Sequence, residues 1–195
     1  MNMRRICVFC GSNSGASPVY AEAARTLGAT LAGRGLGLVY GGGKVGLMGA
    51  VAEGALAAGG EAIGVIPHAL VVREVAHQGL TDLRVVDSMH ERKALMAELA
   101  NGFIVLPGGI GTMEEFFEVW TWAQLGLHAK PIGLLDVAGY YAQLQGFLAH
   151  AVAERFLHPD HRSTVLIDEE AGRLLDRMNG YVPPNVPKWI DREKS

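Results

Sequence analysis

Short runs of unbroken apolar residues alternate with longer helix-forming stretches along almost all of this 195-residue chain. Arg5–Cys10, Gly37–Tyr40, Glu61–Ile66, Leu83–Val86, Phe103–Leu106, Pro131–Leu135 and Val165–Ile167 read as strands. Pro18–Gly33, Leu47–Ala58, Met89–Ala100, Thr112–Leu125, Tyr140–Arg155 and Glu169–Met178 read as helices. A strand that is apolar on both sides has to be covered on both faces, which calls for a parallel sheet between helical layers. Right-handed crossovers then give an α/β, Rossmann-like, doubly wound parallel sheet in a single domain. That domain is expected over residues 1–181, with a proline-rich tail over 182–195 in which Trp189 packs back onto the body.

In a doubly wound fold, ligands gather beyond the carboxyl ends of the strands. The glycine-rich turns Gly11–Gly15, Gly41–Gly43 and Gly108–Gly111 all follow predicted strands, so three loops should meet along one edge. The third is the most telling: Pro107-Gly108-Gly109-Ile110-Gly111-Thr112-Met113-Glu114-Glu115 runs from a strand into a helix. Bare glycine backbone and the free N–H groups of a new helix favour an anion there. A carboxylate one turn later would repel a phosphate, yet it suits the sugar attached to one. Glu115 is therefore the catalytic candidate of a site that acts on a nucleotide near its ribose. Glu114 reads as a helix-dipole residue, and Glu118 shares a face with Glu115.

Other motifs divide between chemistry and structure. Gly41-Gly42-Gly43-Lys44-Val45-Gly46 matches G-x-G-x-x-G, but no acid ends the following strand to hold a ribose diol, and Glu61 precedes it. A dinucleotide is disfavoured, and Val45 breaks the Walker A pattern. A close-approach turn on a nucleotide or its sugar remains, with a plain strand–helix turn as the structural alternative. Asp87 or Ser88 caps a helix whose first turn carries Met89, His90, Glu91, Arg92 and Lys93. Met89 and Arg92 share a face, suited to a phosphate or hydroxyl beside a flat base. Glu91 and Lys93 by themselves read as solvated surface charge. Cys7 and Cys10 lie in a strand, three apart and so on opposite faces, as two reduced core thiols. His158 and His161 form an H-x-x-H without completing ligands, so no metal is expected.

The balance of charge narrows the partners. A net charge of −3 without a basic run excludes the footprint of a nucleic-acid polymer binder, but not a small anion. No stretch approaches the ~20 apolar residues of a membrane span. Arg4 and Arg5 precede an apolar run too short for a signal peptide, so a cytoplasmic location is expected.

With these residues in view, the chain resembles the Lonely Guy (LOG) family of cytokinin-activating nucleoside 5′-monophosphate phosphoribohydrolases, long mislabelled as lysine decarboxylases. The family's PGGxGTxxE element stands at residues 107–115 and its MHxRK block at residues 89–93. Cys10-Gly11-Ser12 and the GGGxxGLMG element at residues 41–49 also match. The resemblance implies hydrolysis of the N-glycosidic bond of N6-substituted adenosine monophosphates, to free base and ribose 5-phosphate, without a cofactor. It makes Arg92 and Glu115 the catalytic pair. From the residues and the resemblance together, the 5′-phosphate is expected on Gly108, Gly109, Gly111 and Thr112, with base and ribose near Ser12, Gly42, Gly43, Met89 and Lys93. The resemblance also implies a homodimer with sites near the subunit interface. Two rivals stand beside it: a non-catalytic nucleotide carrier or sensor, and a pyridoxal-phosphate decarboxylase, which needs a Schiff-base lysine. Of the five lysines, Lys44 and Lys93 fall near the expected site.

Overall fold

A computed structural model describes residues 3–71 and 76–184. Among them, seven strands form one parallel sheet: β1 (Arg5–Phe9), β2 (Gly37–Tyr40), β3 (Ala62–Pro67), β4 (Asp82–Val86), β5 (Gly102–Val105), β6 (Ile132–Leu135) and β7 (Val165–Asp168). Their order is β4-β3-β2-β1-β5-β6-β7. The chain steps outward from β1 to one edge, then returns to lay β5 on the other side of β1, with Phe9 opposite Val105. The direction of winding reverses between β1 and β5, which opens a crevice there because the two following loops leave on opposite sides.

Among the described residues, seven α-helices cover the sheet: α1 (Pro18–Gly33), α2 (Gly46–Ala57), α3 (Met89–Leu99), α4 (Ile110–Gln124), α5 (Ala142–Ala153), α6 (Pro159–Ser163) and α7 (Ala171–Asn179). Strand alternation sorts the core into two layers. Ile6, Val8 and Ile104 pack with Leu27 and Leu31 of α1, Val51 of α2 and Leu174 of α7. Cys7, Phe9, Phe103 and Val105 face the other way, onto Met96 of α3, Phe116 and Trp120 of α4 and Leu148 of α5. The doubly wound α/β architecture read from the alternation is thus the architecture found. Cys7 and Cys10 are buried, unpaired thiols on opposite layers.

Where expectation and structure differ, local chemistry explains it. The helix expected from Tyr140 begins at Ala142, because Ala138 (φ 53°) and Gly139 (φ 71°) turn left-handed and break the helical path. Helix α6 went unseen; His158 caps it by accepting the Asp160 N–H at 3.2 Å, and His158 stacks edge-on against His161. Glu91, expected as surface charge, closes a cap at α3: Ser88 Oγ accepts the Glu91 N–H (3.1 Å) while the Glu91 carboxylate accepts the Asp87 N–H (2.9 Å). Glu61 lies at the far end of the sheet, paired with Arg5 at 2.7 Å, so it cannot serve a ribose at the glycine loops. Trp189 lies outside the described residues.

Candidate active site

The loops after β1, β2 and β5 converge on one cavity of about 470 Å³ at the crevice. Gly11–Gly15, Gly41 and Gly108–Thr112 line it, with Met48 from α2, Met89 and Arg92 from α3, Glu115 from α4 and Tyr140 beyond β6. Close backbone approach makes this possible. The Gly11 N–H donates to the Pro107 carbonyl at 3.0 Å, and a Cβ on Gly11 would meet the Gly108 Cα at 3.4 Å. A Cβ on Gly108 would overlap Thr112 Oγ1.

Helix α4 opens onto this cavity without a side-chain cap. Its first intrahelical bond is Met113 N–H to the Gly109 carbonyl (3.1 Å), so the amides of Ile110, Gly111 and Thr112 precede the ladder. Gly109 and Gly111 have nothing within 4 Å of where a Cβ would stand, and neither φ is positive. Neither packing nor backbone geometry inside the protein requires glycine at these two positions. Bare backbone beside an uncapped helix start in a cavity matches what an anion needs.

Arg92 is nearly inaccessible, at 5% exposure. Its Nε donates to the Val65 carbonyl (3.1 Å), and its Nη2 to the Gly41 carbonyl (2.8 Å). A Cβ on Gly41 would occupy the place of that guanidinium nitrogen. The fork is thus seated on β3 and on the β2 loop, with Nη1 3.7 Å from Met89 Sδ. Glu115 stands one turn into α4, half-buried, in the same wall. The thiol of Cys10 lies within the field of both: burial pushes its pKa up first, the Glu115 carboxylate pushes it further, and Arg92 pulls it down.

Of the residues expected at the site, Arg92, Glu115, Gly108, Gly109, Gly111, Thr112, Ser12 and Met89 line the cavity. Gly42, Gly43 and Lys93 do not. Gly42, at φ 77°, turns the chain toward Ile66 and Leu83 instead, and Gly43 bridges to Ala76. The Lys93 ammonium does not line the cavity but is held between Glu114 (2.6 Å), which does, and Glu118 (3.0 Å), so it ties α3 to α4 beside the site. Glu114 is likewise an ion-pair partner, not an acid capping its helix. No lysine lines the cavity among the described residues. Tyr140 was missed because it read as the first residue of a helix. Its place just past the carboxyl end of β6, on the same edge as the glycine loops, was the usable signal.

Fold and cavity together define a doubly wound α/β protein whose switch-point crevice holds an uncapped, glycine-rich helix start, a seated arginine and a carboxylate. The chain belongs to the LOG family, whose family model, described as "Possible lysine decarboxylase", matches residues 48–178. It is 51% identical over 180 residues to the probable cytokinin riboside 5′-monophosphate phosphoribohydrolase LOGL9 of Oryza sativa subsp. japonica, covering 92% of this chain and 79% of that one. It is 47% identical over 180 residues to the cytokinin riboside 5′-monophosphate phosphoribohydrolase LOG1 of Arabidopsis thaliana, covering 92% and 84%. Among solved structures it is similar to the molybdenum cofactor carrier protein of Chlamydomonas reinhardtii, with a TM-score of 0.71 and 20% identity, over 92% of this chain and 100% of that one. At that identity the likeness concerns the fold alone.

Proposed function

We propose that the chain hydrolyses the N-glycosidic bond of adenosine 5′-monophosphates, N6-substituted ones included, releasing the free base and ribose 5-phosphate. The observation that carries this reading is the pairing, in one cavity, of an uncapped glycine-rich helix start with a carboxylate one turn on. The 5′-phosphate sits on the amides of Gly109, Gly111 and Thr112, with Gly108 giving them room. This places the ribose beside Glu115. As the C1′–N9 bond breaks, its electron pair leaves with the base and C1′ becomes cationic. The Glu115 carboxylate stabilises that centre and orients the water whose oxygen bonds to C1′, as carboxylates do in glycoside hydrolysis. The water gives one proton to Glu115 as its oxygen bonds to C1′; the departing base takes up one proton from solvent and Glu115 returns its own to solvent, so the carboxylate is regenerated and the protons balance. Arg92, fixed by two backbone carbonyls, holds the nucleotide and balances the charge on the departing base. Met48 and Met89 supply adaptable apolar wall for a base.

The family's old decarboxylase label finds no support in the cavity, since a Schiff base needs a lysine and none lines it among the described residues. The reading extends to a cytoplasmic homodimer with sites near the subunit interface. Ile110, 91% exposed at the rim of the site, and Leu127, 71% exposed, fit burial by a second copy, which sedimentation would detect. No described helix is long and apolar enough to cross a membrane.

The test is incubation with AMP and, separately, isopentenyladenosine monophosphate, resolving free base by chromatography. Glu115→Gln should lower turnover about 10²–10⁴-fold while still binding nucleotide. Full turnover in the variant would remove Glu115 from the reaction. Tight binding by the wild type without base release would make the protein a carrier on the same fold.

A further inference from the structure

Three consecutive carbonyls lead into the glycine turn, and each is taken by a donor from outside that turn. The Tyr141 hydroxyl donates to the Leu106 carbonyl at 2.6 Å. The Gly11 N–H donates to the Pro107 carbonyl at 3.0 Å. The Tyr140 hydroxyl donates to the Gly108 carbonyl at 2.6 Å. Only after these does the helical ladder of α4 begin, at the Gly109 carbonyl.

The two tyrosines are adjacent in sequence, yet they reach carbonyls on either side of Pro107. The segment after β6 is shaped to allow it. Ala138 takes a left-handed φ of 53°, a conformation costly for any residue with a Cβ, and Gly139 follows at 71°. The buried Asp136 carboxylate holds the far side, accepting the Tyr141 N–H (2.7 Å) and the Gln145 side-chain amide (3.0 Å). Tyr141 is almost fully buried, whereas Tyr140 is 42% exposed and lines the cavity. Its ring stands edge-on to both Tyr141 (5.1 Å) and Tyr20 (5.8 Å), so the hydroxyl is delivered by a braced ring.

We propose that Tyr140 is a positioning residue for phosphate recognition, acting through the Gly108–Gly109 peptide. A trans peptide is planar, so its C=O and the following N–H point in opposite directions and turn together. Holding the Gly108 carbonyl on the tyrosine fixes the heading of the Gly109 N–H, the first donor of the phosphate cradle. It also keeps the carbonyl engaged and turned from an incoming anion. Gly109 has no Cβ contacts to hold this peptide, so rotation is resisted chiefly from the carbonyl side. The strained Ala138 turn is the structural cost of delivering that hydroxyl. The inference rests on the reading that the turn binds the 5′-phosphate, but not on base release.

Tyr140→Phe tests it, because the ring and its two edge contacts remain while the pin is lost. Calorimetric titration should show ribose 5-phosphate binding about fivefold to tenfold more weakly, the scale of one neutral hydrogen bond. Adenosine, which lacks the phosphate, should bind as it does to the wild type, and the melting temperature should hold within about 2 °C. If the variant binds ribose 5-phosphate as well as the wild type does, the inference is overturned. An equal loss for adenosine and ribose 5-phosphate would also overturn it, since the effect would then not pass through the phosphate. Failure of the wild type to bind ribose 5-phosphate would do the same. A wild type that binds it but releases no base from AMP would sink the hydrolase reading and leave the role of Tyr140 to be judged by the titration alone.

Discussion

Replacing Gly111 by alanine should stabilise the protein and disable its site. Nothing stands within 4 Å of the position a Cβ would take, and the residue lies in the first turn of α4. Alanine in a helix gains up to about 1 kcal/mol over glycine. For a chain of this length that is a rise of at most roughly 2–4 °C in melting temperature. The same methyl would project at the uncapped helix start, into the space a phosphate needs to reach the amides. A hydrogen bond to a charged group contributes about 1.5–3 kcal/mol, so losing one weakens binding about tenfold to a hundredfold. Gly108→Ala is the contrast, because its Cβ would overlap Thr112 Oγ1 and come within 2.9 Å of the Gly11 nitrogen. Overpacking of that kind costs about 1–3 kcal/mol, so here stability should fall along with binding. Thermal melts paired with titration of ribose 5-phosphate measure both quantities. A Gly111→Ala protein that binds ribose 5-phosphate as the wild type does would refute the placement of the anion on α4.

Two further predictions concern Lys93, beside the site, and His128, away from it. Lys93→Met should leave ribose 5-phosphate affinity within about twofold but cost about 1–3 kcal/mol of stability, less than for a fully buried pair because Glu114 is half-exposed. A large loss of affinity at an unchanged melting temperature would instead make Lys93 a ligand-binding group. His128 should make stability fall with acidification. Its Nε2 lies 2.9 Å from the Val119 carbonyl and its Nδ1 accepts the Lys130 N–H at 3.1 Å, an arrangement met by the neutral ring. Burial lowers its pKa, the Val119 contact partly offsets this, and Lys130 lowers it further. With the folded value below the unfolded one, its contribution is complete above about pH 6.5 and is lost as pH falls through the folded value. Melts at pH 7.5 and 5 should therefore show a smaller drop in His128→Gln than in the wild type, and equal drops would exclude this histidine.

Much of the architecture could be read directly from the chain. Helix α1 and strand β2 fall on their expected residues, because Ser17 and Pro18 mark one start and glycines bracket the other segment. The short helix α6 could not be read, since five residues carry too little periodicity to register. Helix boundaries near Tyr140 failed for another reason: nothing local announces that an alanine will be held left-handed, as only surrounding contacts make that conformation tolerable.

The parallel doubly wound sheet and the edge along which the glycine-rich turns meet were legible in the chain itself. Each depends on periodicity, glycine placement or a helix start, which are properties of neighbours along the chain. Tertiary structure alone decided which way the remaining polar groups turned. Met89 and Arg92 line the cavity while the adjoining Lys93 is drawn out of it by two carboxylates more than twenty positions away. Tyr140 joins the site through a carbonyl thirty-two residues distant. Such assignments follow from where partners on separate elements come to rest, and a carboxylate or carbonyl brought in from another strand or helix outweighs any preference a residue shows among its neighbours.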